Sequence, residues 1–179
     1  MRRARFMKVL VVLCALFLLT PVAASADPGA AQERPFKMEW SGPFEIVPEA
    51  SWCDGLDGYV GVRLTITEGR VTHMGSTEGW GKHCSHLATG DLTRGNAVIV
   101  AANGDELHFT YTGSITPLSP STVRIDATQV VDGGTGRFSS ATGVAKSVCH
   151  ATFTSPLAGF VDESRDVGVI SYDASDRSG

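Results

Sequence analysis

Apolar and polar side chains alternate along most of the chain, at the spacing of a β-strand. In the segment 61–67, Val62, Leu64 and Ile66 fall on one face and polar side chains occupy the other. Successive side chains of a strand point to opposite faces, whereas a helix would repeat every three to four residues. The segment therefore predicts a strand with one apolar face.

The same pattern recurs, with enrichment in Val, Ile, Thr, Phe and Tyr. Further strand segments lie near 35–47, 70–75, 86–92, 96–102, 106–112, 121–131, 143–154 and 166–172. Gly-, Asn- and Pro-rich turns separate them, and Glu68-Gly69 and Asn103-Gly104 can close tight hairpins. Helical spacing is missing from every window of eleven residues, apart from a short turn near 138–143. The chain predicts an all-β antiparallel barrel, with a Greek-key or jelly-roll sandwich as the alternative.

The first 26 residues have the pattern of a secretory signal. Basic residues precede an apolar run at 9–19, and 24–26 supply small residues for signal peptidase. A membrane anchor needs about 20 apolar residues, so this run is too short. A lipidated cysteine follows a small residue, whereas Leu13 precedes Cys14. The sequence predicts cleavage after Ala26 and secretion to the extracellular space or the periplasm.

The rest of the chain predicts one domain. We expect a flexible mature N-terminus at 27–34, a single β-barrel domain at 35–173 and a frayed C-terminal tail at 174–179. Four of the 15 basic residues lie in the signal, which leaves 11 bases against 19 acids and a net charge of −8. Phosphate backbones and anionic lipids bind clustered Lys and Arg. We therefore expect no nucleic-acid partner, and no membrane partner after cleavage.

Three cysteines remain after cleavage, and an oxidising compartment permits one intramolecular disulfide among them. If the chain turns at Glu68-Gly69, the hairpin register brings Cys53 opposite Cys84. Cys149 then stays reduced. The register can break between Gly75 and Gly81, so the sequence alone leaves open which two of the three cysteines pair.

His83, Cys84 and His86 lie within four residues, and imidazole and thiolate groups are zinc ligands. Structural zinc sites normally combine two separated ligand pairs, and the sequence lacks a second pair. The favoured interpretation is a loop that holds the disulfide, with two surface or capping histidines. We predict no metal site and no cofactor.

Nucleophilic catalysis lacks a recognisable setting. Cys149 and His150 are adjacent, but adjacent residues of a strand point to opposite faces and cannot act as nucleophile and base. Cys149 is predicted to be a buried, inert thiol. His108 and Glu106 share the polar face of one strand, so we expect His108 to be solvated if the apolar face points inward.

Several spaced motifs resemble the bacterial secreted relatives of the allene oxide cyclase and dirigent barrels. The matching segments are 100–107, 110–113, 133–143 and 169–172, with His86-Leu87 upstream. The resemblance extends over about 58–172 and implies an eight-stranded antiparallel barrel with a central apolar cavity, often in a homo-oligomer. The motifs are turns and strand glycines, so no catalytic residue can be transferred and the catalytic residues stay unassigned. A shared fold does not establish a function.

Three classes of function remain open. The first is binding of a small apolar ligand inside the barrel, with Leu64, Leu107, Phe109 and Tyr111 as the candidate ligand-binding residues. The second is a cofactor-free isomerase or cyclase, as the resemblance implies, and not a hydrolase. The third is a structural or interaction protein whose barrel is filled by its own side chains. The volume of the interior cavity decides among them.

Overall fold

A computed structural model describes residues 32–173, and these form a closed antiparallel barrel of eight strands. The strands are β1 (Glu33–Val47), β2 (Tyr59–Val71), β3 (Gly75–His86), β4 (Asp91–Ala101), β5 (Glu106–Pro117), β6 (Thr122–Gly134), β7 (Thr142–Ser155) and β8 (Ala158–Ser171). Each strand pairs with its neighbours in sequence, and β8 closes onto β1. The predicted barrel is confirmed, and the sandwich alternative is excluded. The predicted signal, its cleavage site and the C-terminal tail lie outside the described residues.

Side-chain alternation explains the barrel. In β2 the side chains of Val62, Leu64 and Ile66 are buried, and those of Arg63 and Thr65 are exposed. Each strand thus has one face for the interior and one for solvent. Closure pairs the backbone of every strand on both sides and leaves no open edge.

The predicted turn at Glu68-Gly69 is wrong. β2 continues through these residues to Val71, and its pairing with β3 shifts between Ile66 and Gly69. Glu68 and Gly69 therefore lie in a β-bulge. A Glu-Gly pair is compatible with a bulge as well as with a hairpin turn, so the local sequence does not distinguish the two. The chain turns instead at 72–74, where His73 has a φ of 71°.

The strand predicted at 86–92 is also wrong. β3 ends at His86 and β4 begins at Asp91, so most of this segment is a turn. Gly90 has a φ of 75°, which favours glycine. The Nδ1 atom of His86 accepts hydrogen bonds from the backbone N–H groups of Ala88 and Thr89, at 3.3 and 3.2 Å. His86 is therefore the capping histidine that the sequence predicts.

The predicted disulfide is confirmed, although by a different route. Cys53 bonds to Cys84, and Cys149 is free and buried. In the observed register Cys84 lies opposite Gly61. Cys53 reaches it from a 3-10 turn at Ser51–Cys53, which folds over the outer face of β2. The disulfide attaches the 48–58 connection to β3 and is compatible with secretion.

The barrel has two different ends. At the closed end, where 72–74, 102–105 and 135–141 connect the strands, large side chains fill the interior. They include Phe36, Val71, Met74, Leu107, Phe138 and Tyr172. Phe138 is fully buried and its ring centroid lies 4.9 Å from that of Tyr172. Along the described part of the chain, no helix has the length and apolarity to cross a membrane.

Candidate ligand cavity

The opposite half of the barrel encloses a cavity of about 320 Å³. It lies toward the open end, where 48–58, 87–90, 118–121 and 156–157 connect the strands. Ligand pockets generally measure about 300–1,000 Å³, so one small molecule is the appropriate occupant. Side chains from all eight strands line the cavity, and most are apolar.

Differences in side-chain size keep this half open. Three small residues, Ala97, Ala127 and Ala151, line the cavity on β4, β6 and β7. Larger side chains such as Leu64 and Phe109 line the rest of the wall. An eight-stranded barrel is just wide enough for its own side chains or one small ligand, so small residues at this level leave space. The interior is therefore not completely filled by the protein's own side chains.

The turn at 87–90 forms part of the mouth of the cavity. Leu87 in this turn is 69% exposed. Pro117 and Phe153, near the open ends of β5 and β7, also line the cavity. Apolar surface therefore continues from the interior to the rim.

Two uncharged polar side chains meet on the cavity wall. The Nδ1 atom of His83 lies 3.0 Å from the hydroxyl oxygen of Tyr111, and this oxygen lies 3.4 Å from the backbone carbonyl oxygen of Lys82. Burial lowers the pKa of His83 to about 4. Burial, and secondarily the nearby Cys149, raises the pKa of Tyr111. Both side chains are neutral at physiological pH and can donate or accept hydrogen bonds.

A second polar group lies across β6, β7 and β8. Asp166 is 1% exposed and accepts hydrogen bonds from Gln129 Nε2 at 3.0 Å and from Ser164 Oγ at 3.1 Å. Burial raises the pKa of Asp166, and its hydrogen bonds act in the opposite direction. Gln129 lines the cavity, whereas Asp166 does not.

Cys149 lies beside this group and lines the cavity. Its Sγ is 2.9 Å from Ser164 Oγ. Burial raises the pKa of Cys149 to about 11, so the thiol stays protonated at physiological pH. Since the thiolate is the nucleophile, this environment agrees with the predicted inert thiol.

The structure separates the four candidate ligand-binding residues. Leu64, Phe109 and Tyr111 line the cavity. Leu107 is fully buried in the closed end and does not line it. Leu107 and Phe109 share a face, but two residues advance a strand by about 7 Å, which takes Leu107 past the cavity floor.

Sequence reasoning missed the polar part of the site. His83 is buried in the cavity wall, so its predicted place on the surface is wrong, and Gln129 was not identified. The inward face of β3 carries Gly79, Gly81, His83 and Ser85, so it has no apolar alternation to reveal a strand. Neighbouring residues of a strand point to opposite faces, so once Cys84 is placed on the outer face, alternation places His83 inside the barrel.

Two other candidates, Cys84 and His108, do not line the cavity. Cys84 is in the disulfide, and residues 32–173 contain no group of three or more His, Cys, Asp or Glu side chains that could hold a metal ion. His108 lies on the outer face, and its Nε2 is 2.8 Å from Glu106 Oε2. Its partial exposure agrees with the expectation of a solvated histidine.

Comparison with known proteins adds little. No protein-family model matches the chain, and no curated protein matches it significantly. Among solved structures, the chain is similar to the pterocarpan synthase dirigent protein GePTS1, with 16% identity and a TM-score of 0.41. The similarity covers 81% of this chain and 94% of that chain. At these values the likeness carries no argument, and the architecture rests on the strand pairing described above.

The buried His83 predicts an acid-sensitive fold. Its pKa is lowered from 6.5 to about 4, so between these values the unfolded chain binds a proton that the folded protein does not. Through this residue, the free energy of unfolding should fall by up to about 3 kcal/mol as the pH drops from 6.5 to 4. Urea unfolding at several pH values measures the loss.

Variants isolate the contribution of His83. Asp166 acts in the opposite direction, because its raised pKa stabilises the folded protein at low pH and this contribution is lost as the pH rises. The wild type is therefore compared with His83→Gln, which keeps Asp166, and with His150→Gln, which removes an exposed histidine. An equal pH dependence in wild type and His83→Gln would contradict the assignment.

Proposed function

We propose that this protein binds a small, mainly apolar molecule inside its barrel, in the cavity at the open end. The observation that carries the proposal is a preformed cavity of about 320 Å³ with a predominantly apolar lining. Burial of apolar ligand surface supplies the affinity, at about 25 cal/mol per Å². A preformed site limits the ordering that opposes binding, so we expect roughly micromolar affinity.

Filling the cavity tests the proposal. Ala127→Leu adds volume inside the barrel and should weaken binding of the uncharged fluorescent probe N-phenyl-naphthylamine at least tenfold, which is about 1.4 kcal/mol. Val130→Leu adds one methylene on the same strand, but on the exposed outer face, and should leave the affinity unchanged. Fluorescence titration measures both.

The outcome is informative if both variants are folded, which thermal unfolding shows. Ala97→Leu is the second cavity variant, because it adds the same group from β4. Equal probe affinity in the wild type and both cavity variants would place the probe elsewhere and contradict binding in the barrel. Failure of the wild type to bind any apolar probe would favour a structural role.

The His83–Tyr111 pair favours a second candidate function, cofactor-free isomerisation. A neutral imidazole can take up a proton from a bound molecule, and a phenol can return one. Acid–base catalysis is most efficient when the pKa is near the working pH, whereas that of His83 is lowered to about 4. This mismatch ranks binding first. Chromatography of ligand recovered after incubation distinguishes the two functions, since binding returns it unchanged.

A further inference from the structure

Two buried polar atoms on the cavity wall, Ser85 Oγ and Gln129 Oε1, have no hydrogen-bond partner among residues 32–173. A third side chain, His83, contacts the Tyr111 hydroxyl through its Nδ1 atom. All three side chains line the cavity. Buried polar atoms are nearly always paired in native proteins, so unpaired atoms around a cavity indicate where a ligand can form hydrogen bonds.

His83, Tyr111 and Gln129 form one polar corner of the cavity. Tyr111 on β5 lies directly opposite Gln129 on β6, and its hydroxyl is hydrogen-bonded to His83 on β3. Residues opposite each other on neighbouring strands have Cβ atoms about 5 Å apart. A single functional group of a ligand can therefore contact more than one member of the polar corner.

Hydrogen bonds determine what the polar corner offers. The Nε2 atom of Gln129 donates to Asp166 Oδ2, which leaves Oε1 as an acceptor. The nearer acceptor for the single proton of the Tyr111 hydroxyl is His83 Nδ1, at 3.0 Å against 3.4 Å for Lys82 O. With the phenol proton on this shorter contact, the neutral imidazole carries its own proton on Nε2 and offers a donor. An acceptor and a donor together match a hydroxyl group, which both donates and accepts.

The charge of the cavity excludes ionised ligands. Within 32–173, none of the cavity-lining residues is Lys, Arg, Asp or Glu. A carboxylate would lose its hydration without a cationic partner in the lining. A cationic ligand would likewise meet no acidic side chain in the lining.

We propose that the ligand is an uncharged molecule with an apolar body and a hydroxyl group. The hydroxyl donates to Gln129 Oε1 and accepts from His83 Nε2, and the apolar body extends toward the open end. This inference rests on the proposed function and specifies its ligand class. Gln129 and His83 are then the residues that determine specificity.

Three straight-chain competitors of similar length test this specificity: n-octanol, octanoate and methyl octyl ether. Each displaces N-phenyl-naphthylamine from the wild type at pH 8, where octanoate is ionised. Octanol should compete at least tenfold better than octanoate, because the negative charge of octanoate opposes its entry into the cavity. Octanol should also compete better than the ether, which can accept but not donate a hydrogen bond.

Variants assign the preference to the polar corner. Gln129→Leu should remove the advantage of octanol over the ether, with both compared against the same probe bound to the same variant, and Gln129→Met is the second variant if Gln129→Leu does not fold. Thr128→Val, on the outer face of the same strand, should keep the wild-type preference. Equal competition by octanol and octanoate in the wild type would overturn the ligand class but leave the proposed function intact. If the probe does not bind to the folded protein, the proposed function fails as well.

Discussion

Replacing Phe138 by alanine should lower the free energy of unfolding by about 3–5 kcal/mol, the usual cost of truncating a buried phenylalanine. Phe138 is fully buried beside Tyr172 in the closed end of the barrel. The backbone around it is held by β5 and β6, since Thr135 N–H donates to Glu106 O. The site cannot collapse easily around the missing ring. Urea unfolding at neutral pH measures the change.

A second phenylalanine provides the control. Phe160 on β8 is 38% exposed, so Phe160→Ala should cost much less than Phe138→Ala. Phe138 does not line the cavity, and probe affinity should be unchanged under conditions where Phe138→Ala remains folded. A loss of affinity in the folded variant would show that the closed end and the cavity are not independent.

Removing the Cys53–Cys84 disulfide should lower the free energy of unfolding by about 3–4 kcal/mol. The two cysteines are 31 residues apart in sequence, and the estimate is the chain-entropy cost of leaving that loop unclosed in the unfolded protein. The change is made as Cys53→Ala together with Cys84→Ala. Thermal and urea unfolding under oxidising conditions measure it.

The reductant dithiothreitol provides the control for this variant. It should destabilise the wild type by a similar amount and leave the double variant unchanged, because Cys149 forms no disulfide within the described residues. Unchanged stability after complete reduction of the wild type would contradict the estimate. The disulfide lies on the outer face of β2 and β3, so probe binding should survive its loss in protein that remains folded.

The sequence determined the architecture wherever the interior face is apolar. In β2 and β5 the alternation of apolar and polar residues correctly assigned Leu64 and Phe109 to the interior. The cysteine pairing was also correct, although the register used to derive it was wrong. Two errors cancelled. The turn was predicted at Glu68-Gly69 but lies at 72–74, and Cys53 was predicted on a strand opposite Cys84 but lies in a separate 3-10 turn.

Only the tertiary structure decided where the cavity lies and which polar groups line it. Alternation assigns a side chain to a face but not to a level along the barrel axis, which depends on how all the strands are staggered. Leu107 and Phe109 therefore look equivalent in sequence, yet only Phe109 lines the cavity. His83 and Gln129 are polar and look like outward residues. Their inward position is stable because Tyr111 and Asp166, which are distant in sequence, provide their hydrogen bonds.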